Sequence, residues 1–374
     1  MIKLTNMGIN GRAKSWGAKR MQESLLGLLV ISATLFNCSC SSVISHFSSL
    51  PEPKTLQLQL SNSMAGISDV AISPDGNSLA IINYSNPFIV WDRRSGHILF
   101  SLPLTSQNSS VTAVAFSPDK NALLTGDFSQ PNKQLTLWNA QTGKLEKKLA
   151  SQGSYITTIA FSPDGKIVAS GGRDDNAIRV WNLYTGQLKY VFIMPRRIVQ
   201  IGFSSDSNFV RGADLAGTVH TYDIKTGKLI QTLADSKNEI GVEDVFSKVA
   251  FASNGKLMAR GDANKGISLW NLETGNRIRI FSGHFYDSAH ALAFSPNSKI
   301  LATVGYSGRR ELATGMRYHD LRLWDVQTGR LLGQSDKERH IMALAFTPDG
   351  KELITGSYPG QLLIWDISEI ANHL

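Results

Sequence analysis

The feature that most constrains this 374-residue chain is a short pattern that recurs along it. Each copy has an aromatic residue, then Asp or Asn, then a Gly five residues past the aromatic. The aromatic residues of the six copies are Trp91, Trp138, Trp181, Tyr222, Trp270 and Trp324, and a seventh pair, Trp365-Asp366, lacks the Gly. Successive aromatics lie 41 to 54 residues apart, a length that suits four short strands and their turns. The pattern therefore predicts one repeat architecture and not a series of domains.

The strands can be assigned within each copy, and the third copy shows them best. Ile156–Phe161 is mostly apolar, and the Ser-Pro-Asp-Gly that follows at 162–165 has the residue preferences of a type I turn. Residues 166–171, 177–181 and 187–190 supply the next three strands. Each copy is therefore predicted to be a four-stranded antiparallel unit with almost no helix.

Such a small sheet cannot bury both of its faces alone, so the seven copies are expected to pack face to face. Radial packing into a ring covers every copy, which predicts an all-β, seven-bladed β-propeller. The last copy has no fourth strand of its own, whereas residues 54–60 alternate apolar and polar side chains ahead of the first copy. We therefore predict that residues 54–60 form the outer strand of the last blade and close the ring.

Over residues 54–374, the Ser-Pro-Asp turns and Trp-Asp/Asn pairs resemble those of WD-repeat propellers. The resemblance implies a non-catalytic scaffold that presents the faces of its ring to partner proteins. It also implies a buried hydrogen-bonded tetrad, which only the sixth copy matches in full, with Gly283 ahead of the histidine. The four residues of that tetrad are His284, Thr303, Asp320 and Trp324.

The start of the chain resembles a bacterial lipoprotein signal. A basic start with residues Arg12, Lys14, Lys19 and Arg20 precedes an apolar run at 25–36 that is too short to span a bilayer, and Cys38 and Cys40 follow it. Residues 1–37 are predicted to be a signal peptide, Cys38 to be the lipidated residue with Cys40 as the alternative, and 38–53 a flexible tether. The protein is then exported and held on the periplasmic side of a membrane. A conventional signal peptide, an uncleaved anchor or a cytoplasmic scaffold with a misread leader remain alternatives.

Composition narrows the class of function. Removal of the leader would lower the formal net charge from +8 to +4, which does not suggest a nucleic-acid binder. The chain lacks the phosphate-loop, nucleophile-elbow and zinc-helix motifs, and both cysteines precede the propeller. We therefore expect no enzyme activity, no cofactor and no metal. In the fourth and fifth copies, Arg211 and Arg260 stand where the tetrad has its hydroxyl residue, which is Thr303 in the sixth copy. These arginines are expected to pair with Asp214 and Asp262.

Connector lengths point to one end of the ring as the binding face. The sixth copy inserts about ten residues, predicted to be a loop, between its second and third strands, and a long acidic connector leads into the fifth copy. The candidate interface residues are Tyr306, Arg309, Arg310, Met316, Arg317, Tyr318, Glu239, Glu243 and Asp244. The alternative for these two segments is that they bind each other.

Two classes of function therefore compete. The first is a non-catalytic scaffold that binds a protein or peptide through these connectors. The second is a small-ligand receptor or enzyme that uses the mouth of the central channel, where the first strands begin. The candidate residues for that second site are Tyr155, Arg197, Ser288 and His340.

Overall fold

The computed structural model describes residues 49–56, 66–83, 88–102, 111–127, 134–149, 153–233, 248–262, 266–282, 284–310, 317–358 and 360–374. Only the backbone is described at 56, 127, 262, 285–288, 307–310, 317–318 and 336–339. The predicted signal peptide, Cys38, Cys40 and residues 38–48 of the predicted tether lie outside the described residues. No helix in the described part of the chain is long and apolar enough to cross a membrane.

Seven four-stranded antiparallel sheets form the predicted seven-bladed propeller. The inner strands are β2 (Ile67–Ile72), β6 (Val111–Phe116), β10 (Ile156–Phe161), β14 (Ile198–Phe203), β18 (Val249–Phe251), β22 (Phe285–Phe294) and β26 (Ile341–Phe346). The second strands are β3 (Ser78–Asn83), β7 (Ala122–Asp127), β11 (Ile167–Gly172), β15 (Phe209–Asp214), β19 (Leu257–Asp262), β23 (Ile300–Arg310) and β27 (Glu352–Ser357). The third strands are β4 (Phe88–Asp92), β8 (Leu135–Asn139), β12 (Ala177–Asn182), β16 (Val219–Asp223), β20 (Gly266–Asn271), β24 (Arg317–Asp325) and β28 (Leu362–Asp366). The outer strands of blades one to six are β5 (Ile98–Leu102), β9 (Leu145–Lys148), β13 (Leu188–Ile193), β17 (Leu229–Leu233), β21 (Arg277–Phe281) and β25 (Leu331–Arg339), and blade seven takes β1 (Lys54–Leu56).

The second and third strands are nearly all buried, because each blade packs between two neighbours. Large side chains such as Leu124, Val168 and Trp181 form one cluster that joins blades two and three. Polar groups also join neighbouring blades beside the channel. For example, the Thr157 hydroxyl donates to the Ile198 carbonyl of the next inner strand at 3.0 Å. The core therefore continues from blade to blade around the described part of the ring.

The predicted closure of the ring is confirmed for the described residues. β1 pairs antiparallel with β28, with Lys54 opposite Ile364 and Leu56 opposite Leu362, and it is the fourth strand of blade seven. Residues 57–60 of the predicted strand lie outside the described residues. Just before β1, the Leu50 amide donates to the Gln334 carbonyl of β25 at 2.9 Å. The segment that precedes β1 therefore links blade six to blade seven.

A short C-terminal helix supports the same junction. α1 (Ser368–Asn372) follows the last strand and buries Ile370 beside Leu50 in the core between blades six and seven. The Lys299 ammonium donates to the Leu374 carbonyl at 2.5 Å. Both ends of the described chain are therefore held against the last two blades.

Blade six differs from the predicted form. Its four strands have nine to eleven residues, whereas most strands of the other blades have five or six. β23 and β24 pair as far as Arg310 opposite Arg317. The prediction of a loop over 305–318 was therefore wrong for the described residues, because the inserted chain prolongs a hairpin whose backbone groups pair with each other.

Candidate binding face and channel mouth

The two ends of the ring carry different connections. One end, the regular-turn face, holds the tight turns between inner and second strands and those between third and outer strands. The other end, the loop-rich face, holds the connectors between second and third strands and those that lead into the next blade. The inner strands line the central channel. The residues just before each inner strand surround the mouth of this channel at the loop-rich face.

The polar side chains of the regular-turn face are used by the turns themselves. In six blades a Ser or Thr hydroxyl donates to an Asp or Asn two residues later, at 2.5 to 2.7 Å. The hydroxyl of Ser117 lowers the pKa of Asp119 in this way, and the hydroxyl of Ser204 lowers that of Asp206. These carboxylates stabilise the hairpins and present little uncommitted chemistry to a ligand.

The predicted tetrad of blade six is confirmed. His284 Nδ1 contacts Asp320 Oδ1, and His284 Nε2 lies 2.7 Å from the hydroxyl of Thr303. The indole N–H of Trp324 donates to the same hydroxyl at 2.9 Å. All four side chains are buried, so the network is structural and not open to a substrate.

A positively charged part of the mouth lies at blades three and four. Tyr155 and Arg197 directly precede β10 and β14, and Arg173 follows β11 and donates its amide to the Tyr155 carbonyl at 2.8 Å. Partial burial and the neighbouring Arg173 charge lower the pKa of Arg197. Its Nε is buried and has no acceptor among the described residues. We call Arg173 and Arg197 the cationic sector.

Five rings form a second part of the mouth at blades six and seven, which we call the aromatic sector. The imidazole of His290 stacks on that of His319 with centroids 5.0 Å apart, and Tyr306 meets both rings edge-on. His340 contacts His319 at 5.2 Å, and Tyr358 meets His340 at 6.4 Å. Tyr306 and Tyr358 are therefore the two ends of one chain of rings across the blade boundary.

His319 lies at the centre of this sector and is neutral at physiological pH. Burial lowers its pKa to about 4, and the adjacent His290 and His340 contribute to the fall. Its Nδ1–H donates to the Ile341 carbonyl at 3.0 Å, which fixes the tautomer. The described residues contain no group of three or more His, Cys, Asp or Glu side chains placed to hold a metal ion.

The channel itself contains a cavity of about 460 Å³ lined by inner-strand residues. Asp69 lies in its wall, where burial raises the pKa of the carboxyl to about 6 and the Lys248 charge acts against that rise. Thr157, Gln200 and Met342 also line the cavity. The channel is therefore polar and close to balanced in charge.

The structure places the predicted site residues unevenly. Tyr155, Arg197 and His340 lie at the mouth as predicted, and Ser288 belongs to β22 with only its backbone described. Tyr306 belongs to the aromatic sector. Arg309, Arg310, Arg317 and Tyr318 lie in the prolonged hairpin of blade six, with only their backbone described. Met316, Glu239, Glu243 and Asp244 lie outside the described residues.

Sequence reasoning missed four residues of the mouth, namely Arg173, His290, His319 and Tyr358. A signal existed for two of them, because Arg173 and Tyr358 each directly follow a second strand and donate their amides to the residue ahead of the inner strand. His290 is the second residue after the predicted start of its inner strand, a position that faces the channel in neighbouring blades. His319 directly precedes the tetrad residue Asp320, and its position in the repeat carries no signal that it lies at the mouth.

Comparison with known proteins agrees with the fold. Four segments, residues 98–139, 143–182, 275–325 and 328–366, match the family model described as WD domain, G-beta repeat. The chain is 27% identical over 239 residues to Periodic tryptophan protein 2 of Arabidopsis thaliana, which is 63% of this chain and 25% of that protein. It is 26% identical over 212 residues to Telomerase Cajal body protein 1 of Mus musculus, which is 54% of this chain and 37% of that protein.

A fungal relative gives a longer match. The chain is 23% identical over 257 residues to Nuclear distribution protein PAC1 of Arthroderma benhamiae, which is 63% of this chain and 54% of that protein. The aligned regions therefore span from a quarter to about half of the length of these relatives. Together with the repeat matches, they support the WD-repeat propeller family.

Proposed function

We propose that this protein is a non-catalytic scaffold that binds a protein or peptide partner on its loop-rich face. The observation that supports the proposal most is the difference between the two faces. The Ser/Thr hydroxyls and Asp carboxylates of the hairpin turns on the regular-turn face already bond within the fold, whereas the loop-rich face groups arginines, tyrosines and histidines around the channel mouth. Tyr and Arg are enriched where proteins bind one another.

Blade six adds a second element to this face. The two strands of its hairpin are longer than the second and third strands of the other blades, and they carry Arg309, Arg310 and Arg317 at the ends nearest the turn. A paired hairpin loses less conformational entropy on binding than an irregular loop of the same length, which favours a contact surface there. The proposed docking surface therefore runs from this hairpin to the aromatic sector.

We further propose that the mature protein is exported and lipid-anchored at Cys38, with Cys40 as the alternative, on the periplasmic side of a bacterial membrane. The support comes from the basic start, the short apolar run and the cysteines that follow it. A Cys38→Ser variant should then move from the membrane fraction to the soluble one while the propeller keeps its melting temperature. Unchanged fractionation of both Cys38→Ser and Cys40→Ser would rule out this anchor.

The docking surface is tested by charge reversal at Arg309 and Arg310. The full chain is crosslinked in membranes, and partners are identified by mass spectrometry for the parent and for Arg309→Glu/Arg310→Glu. We expect the variant to lose its crosslinked partner and to keep its melting temperature. The matched control is Arg94→Glu/Arg330→Glu, because both arginines are exposed on the regular-turn face.

A fall in melting temperature with capture intact per folded molecule would contradict the proposal, since the hairpin would then serve the fold. Equal loss of capture in the control would also contradict it. In that case the binding depends on overall charge and not on the loop-rich face.

The 460 Å³ channel cavity favours a second candidate function, the binding of a small ligand. Asp69 and Lys248 approach this cavity from different blades and would orient a polar molecule. Isothermal calorimetry with small polar metabolites, repeated on Asp69→Asn, tests this candidate. Binding that survives Asp69→Asn unchanged, or no binding at all, would exclude a channel site at Asp69.

A further inference from the structure

We infer that the cationic sector is a binding site for one carboxylate side chain of an extended partner segment. The inference rests on the proposed docking function and specifies the chemistry of the partner. It begins with the position of the two arginines, which border the channel mouth on adjacent blades, beside Tyr155. An extended segment that crosses the mouth between blades three and four and the opposite side of the ring passes this point.

The guanidinium of Arg197 is placed to receive an anion. Its Nε–H is buried without an acceptor among the described residues, although a buried donor of this kind normally has a partner. The nearby Arg173 has the same charge, and the two groups repel each other. A carboxylate between them would satisfy the Nε–H and remove the repulsion, with the paired geometry that guanidinium groups favour.

The balance of charge favours a carboxylate over a dianion. Asp174 is the acidic group that acts on Arg197, so the local set of Arg173, Arg197 and Asp174 leaves one positive charge over. The adjacent Arg196 acts on the buried Asp214, where it opposes the rise in pKa that burial causes. A single carboxylate neutralises the surplus, whereas a phosphate with nearly two charges would exceed it and approach Asp174.

The aromatic sector indicates that the carboxylate belongs to a peptide and not to a small acid. In a ring of seven blades, the boundary between blades three and four lies opposite blade seven. Blade seven supplies His340 and Tyr358, a residue that is 37% exposed. A segment held at Arg197 therefore extends across the channel towards these rings, which offer apolar contact to a second side chain. The partner segment therefore combines an acidic residue with an apolar or aromatic residue before or after it.

The test uses a random peptide library displayed on phage and the full chain in detergent as the target. Selections are run in parallel on the parent, on Arg197→Gln and on the control Arg94→Gln, whose arginine is exposed on the regular-turn face. We expect the parent and the control to enrich peptides that combine Asp or Glu with an apolar residue. Selection on Arg197→Gln should lose the acidic preference.

The best selected peptide is then synthesised with its acidic residue as Glu, Gln or phosphoserine, and binding is followed by fluorescence anisotropy. Replacement of Glu by Gln should weaken binding to the parent about tenfold and should change binding to Arg197→Gln little. Phosphoserine should bind no better than Glu. Melting curves of both variants show whether the fold is intact.

Several results would overturn the inference. They are the absence of selected peptides, no acidic enrichment, enrichment that persists in Arg197→Gln, or a clear preference for phosphoserine. Crosslinked capture of the native partner separates the two proposals. If Arg197→Gln captures that partner as the parent does, the carboxylate site is wrong and the docking face stands. If no protein is captured through the loop-rich face, the docking function itself is wrong.

Discussion

At the residue scale, equivalent positions of the repeat have taken different structural roles. In blades two, three, six and seven, the indole N–H of the third-strand Trp donates to a hydroxyl of the second strand. These hydroxyls belong to Thr125, Ser170, Thr303 and Thr355. In blade five Arg260 occupies this position, and Trp270 donates instead to Ser268 at 2.8 Å. The buried Arg260 lies over the Trp270 ring and donates to the Gly217 carbonyl of the neighbouring blade at 3.2 Å.

The predicted pairing of Arg211 with Asp214 was wrong for a geometric reason. Residues three apart on a strand point to opposite faces of the sheet, so the two side chains diverge. Asp214 instead accepts the amides of Ala216 and Thr218 and shapes the turn after its strand. The side chain of Asp262 is not described, so its pairing with Arg260 stays a prediction.

The tetrad should stabilise blade six more than a lone Trp–Thr bond stabilises blade two. Thr303→Val leaves the Trp324 indole N–H and the His284 ring without their common partner. We expect a loss of about 3 kcal/mol, because a buried polar group without a partner costs about 1–3 kcal/mol. Chemical denaturation measures the change.

The matched control for this prediction is Thr125→Val. Thr125 accepts the Trp138 indole N–H at the same 2.9 Å but has no histidine partner among the described residues. The loss there should be about half as large. Equal losses in the two variants would mean that the His284 bond contributes nothing to stability.

A second residue-scale prediction concerns the hairpin turns of the regular-turn face. Gly165 has φ +70, and within the part of the chain that the structure describes a Cβ at this position would meet only Pro118, at 3.9 Å. Gly165→Ala should therefore destabilise the fold through backbone strain alone, by about 1 kcal/mol. The equivalent residue of blade two, Lys120, already has φ +61. Lys120→Ala should leave the denaturation midpoint nearly unchanged, and equal effects of the two substitutions would contradict the explanation.

At the scale of the elements, the strand that closes the ring and the hairpin of blade six are both exceptions to the repeat. β1 is contributed from the start of the described chain, and its three residues pair with β28. Leu50, only 7% exposed, anchors the preceding segment against blade six. Closure therefore depends on contacts between segments that are distant in sequence.

Deletion of residues 54–60 should lower the melting temperature markedly. Blade seven would lose its outer strand and expose the edge of β28, and three residues of backbone pairing would be lost. At about 1 kcal/mol for each hydrogen bond, the loss is on the order of 3 kcal/mol. Deletion of residues 41–47, of equal length in the predicted tether, is the control. Identical melting curves for the two deletions would show that the β1 pairing does not stabilise the ring.

The fold was predictable from sequence because its signals are local and repeated. Ser162-Pro163-Asp164-Gly165 specifies a hairpin, and β10 to β13 fall within two or three residues of the predicted bounds. The prolonged hairpin of blade six was not predictable in the same way. Gly305 and Gly308 within the insertion indicated a loop, whereas the observed strands depend on pairing partners seven to fifteen residues away, such as His319 opposite Tyr306.

The candidate site was predictable only in part, for a different physical reason. Tyr155, Arg197 and His340 were found because each directly precedes an inner strand, which is a position along the chain. The effect of the Arg173 charge on Arg197 and the contacts among the rings from Tyr306 to Tyr358 arise between different strands and blades. Such contacts depend on the packing of the ring and leave no signal in the spacing of a single chain segment.

At the scale of the whole molecule, chain direction relates the N-terminal segment to the two faces. β28 runs from the loop-rich face to the regular-turn face, and β1 is antiparallel to it, so β1 runs towards the loop-rich face. The residues just before β1 therefore approach the ring from its regular-turn side.

Two titrating groups on the inner side of the ring should give opposite dependences of stability on pH. Burial lowers the pKa of His319 from 6.5 to about 4, so its contribution to stability is complete above pH 6.5 and is lost as the pH falls from 6.5 to about 4. Burial raises the pKa of Asp69 from 3.8 to about 6, so its ionised form destabilises the fold above pH 6. That cost disappears as the pH falls from 6 towards 3.8.

Because the two effects oppose each other between pH 4 and 6, single variants are needed to separate them. His319→Asn keeps an N–H for the Ile341 carbonyl but does not titrate, so its melting temperature relative to the parent should rise as the pH falls from 6.5 to 4. Asp69→Asn should show the reverse, with its largest gain over the parent above pH 6 and a smaller gain at pH 4. Melting curves at intervals over pH 4 to 8 measure both differences. A constant offset from the parent across this range would show that the residue keeps its ordinary pKa in the folded ring, and that the aromatic sector or the channel, respectively, is open to water.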